Sequence, residues 1–71
     1  MFRMLYLNDL LRVLDGDTPI AIVDVKKPIH ESKIFDGFGD EAREVTFGEK
    51  MVVEVGIVDE SLVVFVGEVS K

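Results

Sequence analysis

The sequence contains no cysteine, no tryptophan, one histidine and two prolines in 71 residues. Without cysteine, neither a disulfide nor a cysteine-ligated zinc site can stabilise so short a chain. Its stability must come from an apolar core, from a partner or from self-association. The hydrophobic content of 48% predicts one folded domain over residues 1–71 rather than a disordered chain.

Basic residues are scarce, since eight Lys and Arg stand against fourteen Asp and Glu and give a formal net charge of −6. Nucleic-acid phosphates are bound by clustered Lys and Arg, so this balance argues against a nucleic-acid partner. An acidic surface keeps a protein in solution and can also steer it toward a basic protein surface.

Long apolar runs are also missing, because no stretch reaches the roughly 18 residues of a membrane-spanning helix. The apolar residues 1–7 end at Asn8 and lack both the length and the cleavage site of a signal peptide. We therefore expect a cytoplasmic protein with no membrane partner.

The densest β-branched and aromatic content lies in residues 51–66, on both sides of Asp59-Glu60. This pattern predicts two strands that fold back on each other at that turn. The second strand, residues 62–66, is apolar on both faces and is expected inside a sheet. A hairpin alone is marginally stable in water, so earlier segments must cover it.

Four leucines between residues 7 and 14 recur at helical spacing and predict a short amphipathic helix over residues 9–15. Asn8 stands where an N-cap belongs, and Gly16 stands where a left-handed residue would end the helix.

Two more strands are expected between the helix and the hairpin. Residues 20–25 are apolar on both faces, which favours an interior strand. Residues 33–38 predict a weaker strand, and residues 40–44 are interpreted as a connection, with one helical turn as the alternative. The predicted fold class is α+β, with a small, mostly antiparallel sheet of about four strands and one short amphipathic helix packed on it. The expected core is Leu10, Leu11, Leu14, Ile20, Ile22, Val23, Ile34, Phe35, Val53, Val55, Leu62, Val64 and Phe65.

Three local patterns could carry chemistry, but each has a structural explanation. Asp15 and Asp17 resemble the start of a calcium loop, yet apolar strand residues follow where further ligands belong, so a turn is favoured. His30 has Glu31 and Ser32 as sequence neighbours, which rarely gives catalytic geometry. The Gly-x-Gly at residues 37–39 lacks the rest of a nucleotide-binding motif. We therefore expect no enzyme activity, no cofactor and no metal site.

Negative charge concentrates between the second expected strand and the hairpin, where the aromatic residue Phe38 is expected to be exposed. A solvated face is the usual explanation, whereas the functional one is a surface that docks a basic protein or imitates a phosphate backbone. The candidate partner contacts are Asp36, Phe38, Asp40, Glu41, Glu44 and Glu49.

Three segments together resemble small proteins of phages, prophages and related elements of Gram-positive bacteria. They are the helix and acidic turn of residues 7–18, the strand of residues 20–24 and the Ile-Phe-Asp-Gly of residues 34–37. The resemblance covers about half the chain and departs from the pattern in the loop of residues 26–32 and in the glycine-rich region after Gly37. It implies a mobile-element protein but supplies no function and no site residues.

Small size, acidic charge and the lack of a catalytic constellation favour a non-enzymatic protein-interaction module whose partner is a host or phage protein. The alternative is a structural homo-oligomer, a homodimer for example, that assembles through surplus apolar surface on residues 1–7 or the final strand. A metal-binding or enzymatic role has the least support.

Overall fold

The computed structural model describes residues 5–45, 47 and 49–68, with Glu68 described by its backbone alone. These described residues contain six helices and strands and one 3-10 turn, in chain order α1 Leu7–Val13, β1 Pro19–Asp24, the 3-10 turn Ile29–Glu31, β2 Lys33–Phe38, α2 Gly39–Arg43, β3 Lys50–Val58 and β4 Ser61–Glu68.

The four strands form one sheet in the order β2-β1-β4-β3. The outer pairs, β1 with β2 and β3 with β4, are antiparallel, whereas β1 and β4 run parallel at the centre. The predicted α+β class with a mostly antiparallel sheet is confirmed, as are the interior positions of β1 and β4. The chain passes through α2 before β3, so the final hairpin can join the sheet beside β1.

The core lies on one face of the sheet. Ile20 and Ile22 of β1 and Val64 and Val66 of β4 are at most 1% exposed, and Ile22 pairs directly with Val64 in the register. The helices cover them with three further buried residues, namely Leu7, Leu11 and Ala42. Burying an aliphatic side chain of this size contributes about 1.5–3 kcal/mol, so this one layer of contacts supplies most of the stability.

Both ends of α1 differ from the prediction. Tyr6, not Asn8, is the N-cap, because Tyr6 is extended and forms a β-bridge with Met51 while its carbonyl accepts from the amides of Asp9 and Leu10 at 3.1 Å. The helix therefore begins as soon as the chain leaves the sheet.

At the other end, Leu14 closes the helix in an extended conformation, and Gly16 is not left-handed. A Cβ at position 16 would meet the Asp40 carboxylate, an exposed side chain that would have to move aside. Residues 39–43 form helix α2, so the interpretation of residues 40–44 as a connection was wrong. The alternative, one helical turn, is confirmed.

Two predicted core residues of β3, Val53 and Val55, are exposed, and a bulge in the strand accounts for the first. Val52 pairs with Val66, but Glu54 pairs with Phe65, so the intervening Val53 turns to the opposite face and is 59% exposed. Val55 faces the helical side but is 45% exposed, because α1 meets β3 at the Met51 end.

Other core predictions have mixed outcomes. Val23 and Phe65 lie on the opposite face of the sheet. The prediction missed Leu7, Ala42 and Val66. The remaining predicted residues are confirmed, either fully buried or packed against the buried cluster: Leu10, Leu11, Leu14, Ile20, Ile22, Ile34, Phe35, Leu62 and Val64.

The predicted turn at Asp59-Glu60 is confirmed. Both residues are left-handed, with φ of 50° and 66°, as a two-residue type I′ turn requires. Neither is glycine, so the hairpin closes against a local conformational cost.

Candidate protein-interaction surface

The sheet face opposite the core is apolar at its centre. Ala21 and Val23 of β1 pair with Val63 and Phe65 of β4, and all four alternate with the buried residues along their strands. Because successive side chains of a strand point to opposite faces, these four point away from α1 and α2. They are partly exposed.

Four more exposed apolar residues border this centre. Phe38 and Val58 belong to the same face by register and are 51% and 58% exposed. Val25 and Val53 flank Gly67, where a Cβ would lie 3.7 Å and 3.5 Å from their methyl groups. We call the surface the open face, with its centre at Ala21, Val23, Val63 and Phe65 and its rim at Val25, Phe38, Val53 and Val58.

Within the part of the chain that the structure describes, both helices and Phe47 pack on the core side of the sheet. Leu7, Leu11 and Ala42 join the buried cluster, and Phe47 makes an edge-to-face contact with Phe35 at 5.9 Å between centroids. Domains usually bury both faces of an apolar sheet between layers. Here one of the two layers is missing among the described residues, and large apolar patches of this kind mark interaction sites.

Among the described residues, three charged side chains lie on the open face. Lys33 Nζ lies 3.0 Å from Asp36 Oδ2, and the bulge in the pairing of β1 with β2 puts both on this face. Glu54 of β3 is opposite Phe65. One Lys and two carboxylates give the face a net charge of −1, so most of the formal charge of −6 lies elsewhere.

The predicted acidic contact set does not form one patch. Asp36 and Phe38 lie on the open face, paired with Ala21 and Pro19. Asp40, Glu41 and Glu44 follow on or beside α2, on the core side of the sheet.

Local partners already bind much of this charge. Asp40 lies 3.0 Å from Arg43, and the Glu41 carboxylate accepts from the Phe38 amide at 3.0 Å. Glu49 borders a shallow depression of about 340 Å³ with Tyr6 and Lys50, outside both groups. The set therefore divides into two groups and one separate residue.

Asp24 is a buried charge that the sequence reading missed. It ends the buried face of β1, is 4% exposed, and its carboxylate accepts from the Lys26 amide at 2.9 Å. Lys50 Nζ of β3 lies 3.6 Å away, and the Lys50 side chain is itself only 16% exposed. The Lys26 amide lowers the pKa of the Asp24 carboxyl, burial opposes this, and the Lys50 charge lowers the pKa further.

Arg43 joins the two helices. Its Nε donates to the Leu11 carbonyl at 2.7 Å, and its terminal nitrogens reach the Leu14 carbonyl and Asp40. The last carbonyls of a helix have no partner within the helix, so a guanidinium there satisfies them. Arg43 therefore has a structural role in holding α1 against α2.

The residues considered for chemistry make local contacts in the described structure. Asp15 accepts from the Asp17 amide at 3.0 Å in a turn, as predicted. His30 Nε2 lies 3.2 Å from Glu31 in an exposed pair, and the Ser32 hydroxyl donates to the Ile29 carbonyl.

No protein-family model, curated protein or solved structure matches this chain. Across the described residues, no three His, Cys, Asp or Glu side chains converge on a possible metal position. The same residues include no helix with the length and apolarity to cross a bilayer. Any function must therefore be inferred from the molecule's own surfaces.

The open face had a signal in the sequence. Strands β1 and β4 are apolar on both faces, but the sequence predicts one short helix, which can cover only one face. Asp24 had a signal too, because it is an acidic residue at the end of an apolar run. Lys50, which lies beside Asp24 in the structure, is 26 residues away in the chain, so the sequence gave no signal of this pairing.

Proposed function

We propose that this protein is a non-enzymatic interaction module that binds a protein surface through its open face. The observation that carries the proposal is the second apolar face of the two central strands. Ala21, Val23, Val63 and Phe65 point away from the helices. The free energy of binding comes from covering these side chains and the exposed rim valines.

The fold suits such a role because the surface is rigid. The open face stands on the two interior strands, whose other side holds the fully buried Ile20, Ile22, Val64 and Val66. A surface fixed by a packed core loses little conformational entropy on binding. Lys33, Asp36 and Glu54 supply the polar groups that orient a partner.

The partner contacts predicted from the sequence remain part of the proposal, but they are assigned to two different roles. Asp36 and Phe38 belong to the open face and would contact a partner there. Asp40, Glu41, Glu44 and Glu49 would act as a solvated or steering surface away from the contact. We keep the proposal of a mobile-element accessory protein that acts in the cytoplasm.

Site-specific photo-crosslinking distinguishes the two surfaces. A photoreactive residue is placed at position 63 on the open face in one variant and at position 44 beside α2 in another, and both are expressed in the same cells. We expect protein adducts from position 63 in excess over position 44. Adducts formed only from position 44 would contradict the proposal and favour the acidic surface.

A further inference from the structure

We infer that a second copy of this chain occupies the open face, so that two sheets pack face to face as a symmetric homodimer. This inference rests on the proposed function and names the partner. It starts from the register, which places the residues of the open face in rows across the sheet. Neighbouring strands are about 4.8 Å apart, so each row is roughly 15 Å long from β2 to β3.

Two rows follow entirely from the observed pairings. The first row, in the order β2-β1-β4-β3, is Lys33, Val23, Phe65 and Glu54. The second row, in the same order, is Asp36, Ala21, Val63 and Gly56. Each row ends in a charged residue on β2, and the two central positions hold one smaller and one larger apolar residue.

Consider a two-fold axis that lies between the two sheets, parallel to the strands and midway between β1 and β4. It places each row of one copy against the same row of the other copy in the reverse order. Lys33 of one copy then lies over Glu54 of the other, and the same contact occurs twice. Val23 lies over Phe65, so a smaller residue meets a larger one. In the second row, Ala21 lies over Val63 and Asp36 lies over Gly56, where no side chain competes for space.

The rim is also self-complementary about this axis. Phe38 pairs with Pro19 on one side of the sheet, and Val58 pairs with Ser61 on the other. The axis brings Phe38 of one copy over Val58 of the other, which covers two exposed apolar side chains at each end of the interface. A two-fold axis across the strands at the first row would instead stack Lys33 on Lys33 and Glu54 on Glu54, which is unfavourable.

The size of the open face suits a reversible dimer. Four strands about 4.8 Å apart and about five residues of about 3.3 Å rise make a surface roughly 20 Å by 17 Å including side chains. Two such surfaces amount to roughly 700 Å² in total, which is small for a specific interface and typical of a weak, transient one. We therefore expect a dissociation constant in the micromolar range.

Charge reversal with a mixing control tests the inference by sedimentation equilibrium. Glu54→Lys and Lys33→Glu are each expected to raise the dimer Kd about tenfold or more, because each places two like-charged pairs in the dimer. A one-to-one mixture of the two variants restores both opposite-charge pairs, so its Kd is expected within about threefold of the native chain. Both residues are exposed, so the fold should be retained, which circular dichroism checks.

Glu44→Lys is the matched control for Glu54→Lys, because it changes the net charge equally but lies away from the open face. Its Kd is expected to stay within about threefold of the native value. A native chain that remains monomeric up to about 1 mM would overturn the inference. So would a mixture no tighter than either variant alone.

The two proposals fail in different ways. A monomeric native chain whose position 63 still crosslinks to a different protein overturns the homodimer and leaves the proposed function standing. Crosslinks from position 44 alone overturn both.

Discussion

The buried carboxylate of Asp24 makes the sharpest prediction about stability. Asp24→Asn keeps the shape of the side chain and an oxygen that can accept from the Lys26 amide at 2.9 Å. It removes the negative charge 3.6 Å from Lys50 Nζ, and that lysine side chain is only 16% exposed. A mostly buried ammonium group is then left without its counter-ion.

We expect Asp24→Asn to lower the free energy of unfolding by about 2 kcal/mol at pH 7, within the range for hydrogen bonds to charged groups. For a domain of this size, that corresponds to a fall in Tm of roughly 10 °C. Urea unfolding followed by circular dichroism measures it at one fixed protein concentration, because dimerisation would add to stability. Asp9→Asn is the control, because the Asp9–Arg12 pair is exposed and should contribute less than about 1 kcal/mol.

The lowered pKa of Asp24 also predicts how the free energy of unfolding depends on pH. The pKa of Asp24 is lowered from its ordinary value of 3.8 in the folded state, so the folded protein holds this proton less tightly than the unfolded chain. Its contribution is present above the ordinary pKa and is lost as pH falls through the lower folded-state value. The difference in unfolding free energy between the native chain and Asp24→Asn should therefore shrink below pH 3.8. A variant as stable as the native protein at pH 7, or a difference that does not change with acid, would refute the reasoning.

Three further substitutions test the remaining structural claims, all by urea unfolding at low protein concentration. Arg43→Ala should destabilise by about 2 kcal/mol because it leaves carbonyls of α1 unpaired, whereas Arg12→Ala on the exposed side should cost less than about 1 kcal/mol; equal effects would contradict the capping role. Glu60→Gly should stabilise by about 0.5–1 kcal/mol by relieving a left-handed residue, whereas Glu44→Gly, at φ of −85°, should destabilise. Gly39→Ala should lower the free energy of unfolding by about 1–3 kcal/mol, because its Cβ would lie 2.6 Å from the Asp15 carbonyl oxygen. Gly56→Ala meets nothing within 4 Å and should be tolerated. Equal effects of the two substitutions would show that the contact at Gly39 is not rigid.

Periodicity in the sequence predicted the local elements well because each is encoded by neighbouring residues. The strand over residues 33–38, the turn at Asp59-Glu60 and the interior positions of β1 and β4 follow from local alternation and turn geometry. The start of α1 was misplaced because Tyr6 is held by Met51, a partner 45 residues away. Of the two core positions predicted in β3, Val53 failed because a bulge turns it to the opposite face, and Val55 failed because α1 packs only at the Met51 end of the strand.

The candidate surface was harder to predict for a related reason. The acidic residues are close in sequence, but Asp36 is on a strand and Asp40 is on the following helix, so the chain places them on different sides of the sheet. The open face is the opposite case. Val23 of β1 and Phe65 of β4 are distant in sequence and become neighbours through a parallel pairing that local patterns do not encode.

Methyl NMR with a soluble paramagnetic agent tests the central claim, that a protein surface covers the open face, most directly. Val13 is 79% exposed and Val64 is fully buried, so the two give the broadened and the protected limits in one spectrum. At about 10 μM the methyls of Val23 and Val63 should broaden, and at about 1 mM they should approach the protection of Val64 as the dimer forms. If Val23 and Val63 broaden equally at both concentrations while Val13 and Val64 keep their limits, no second copy covers the open face and the homodimer account is contradicted.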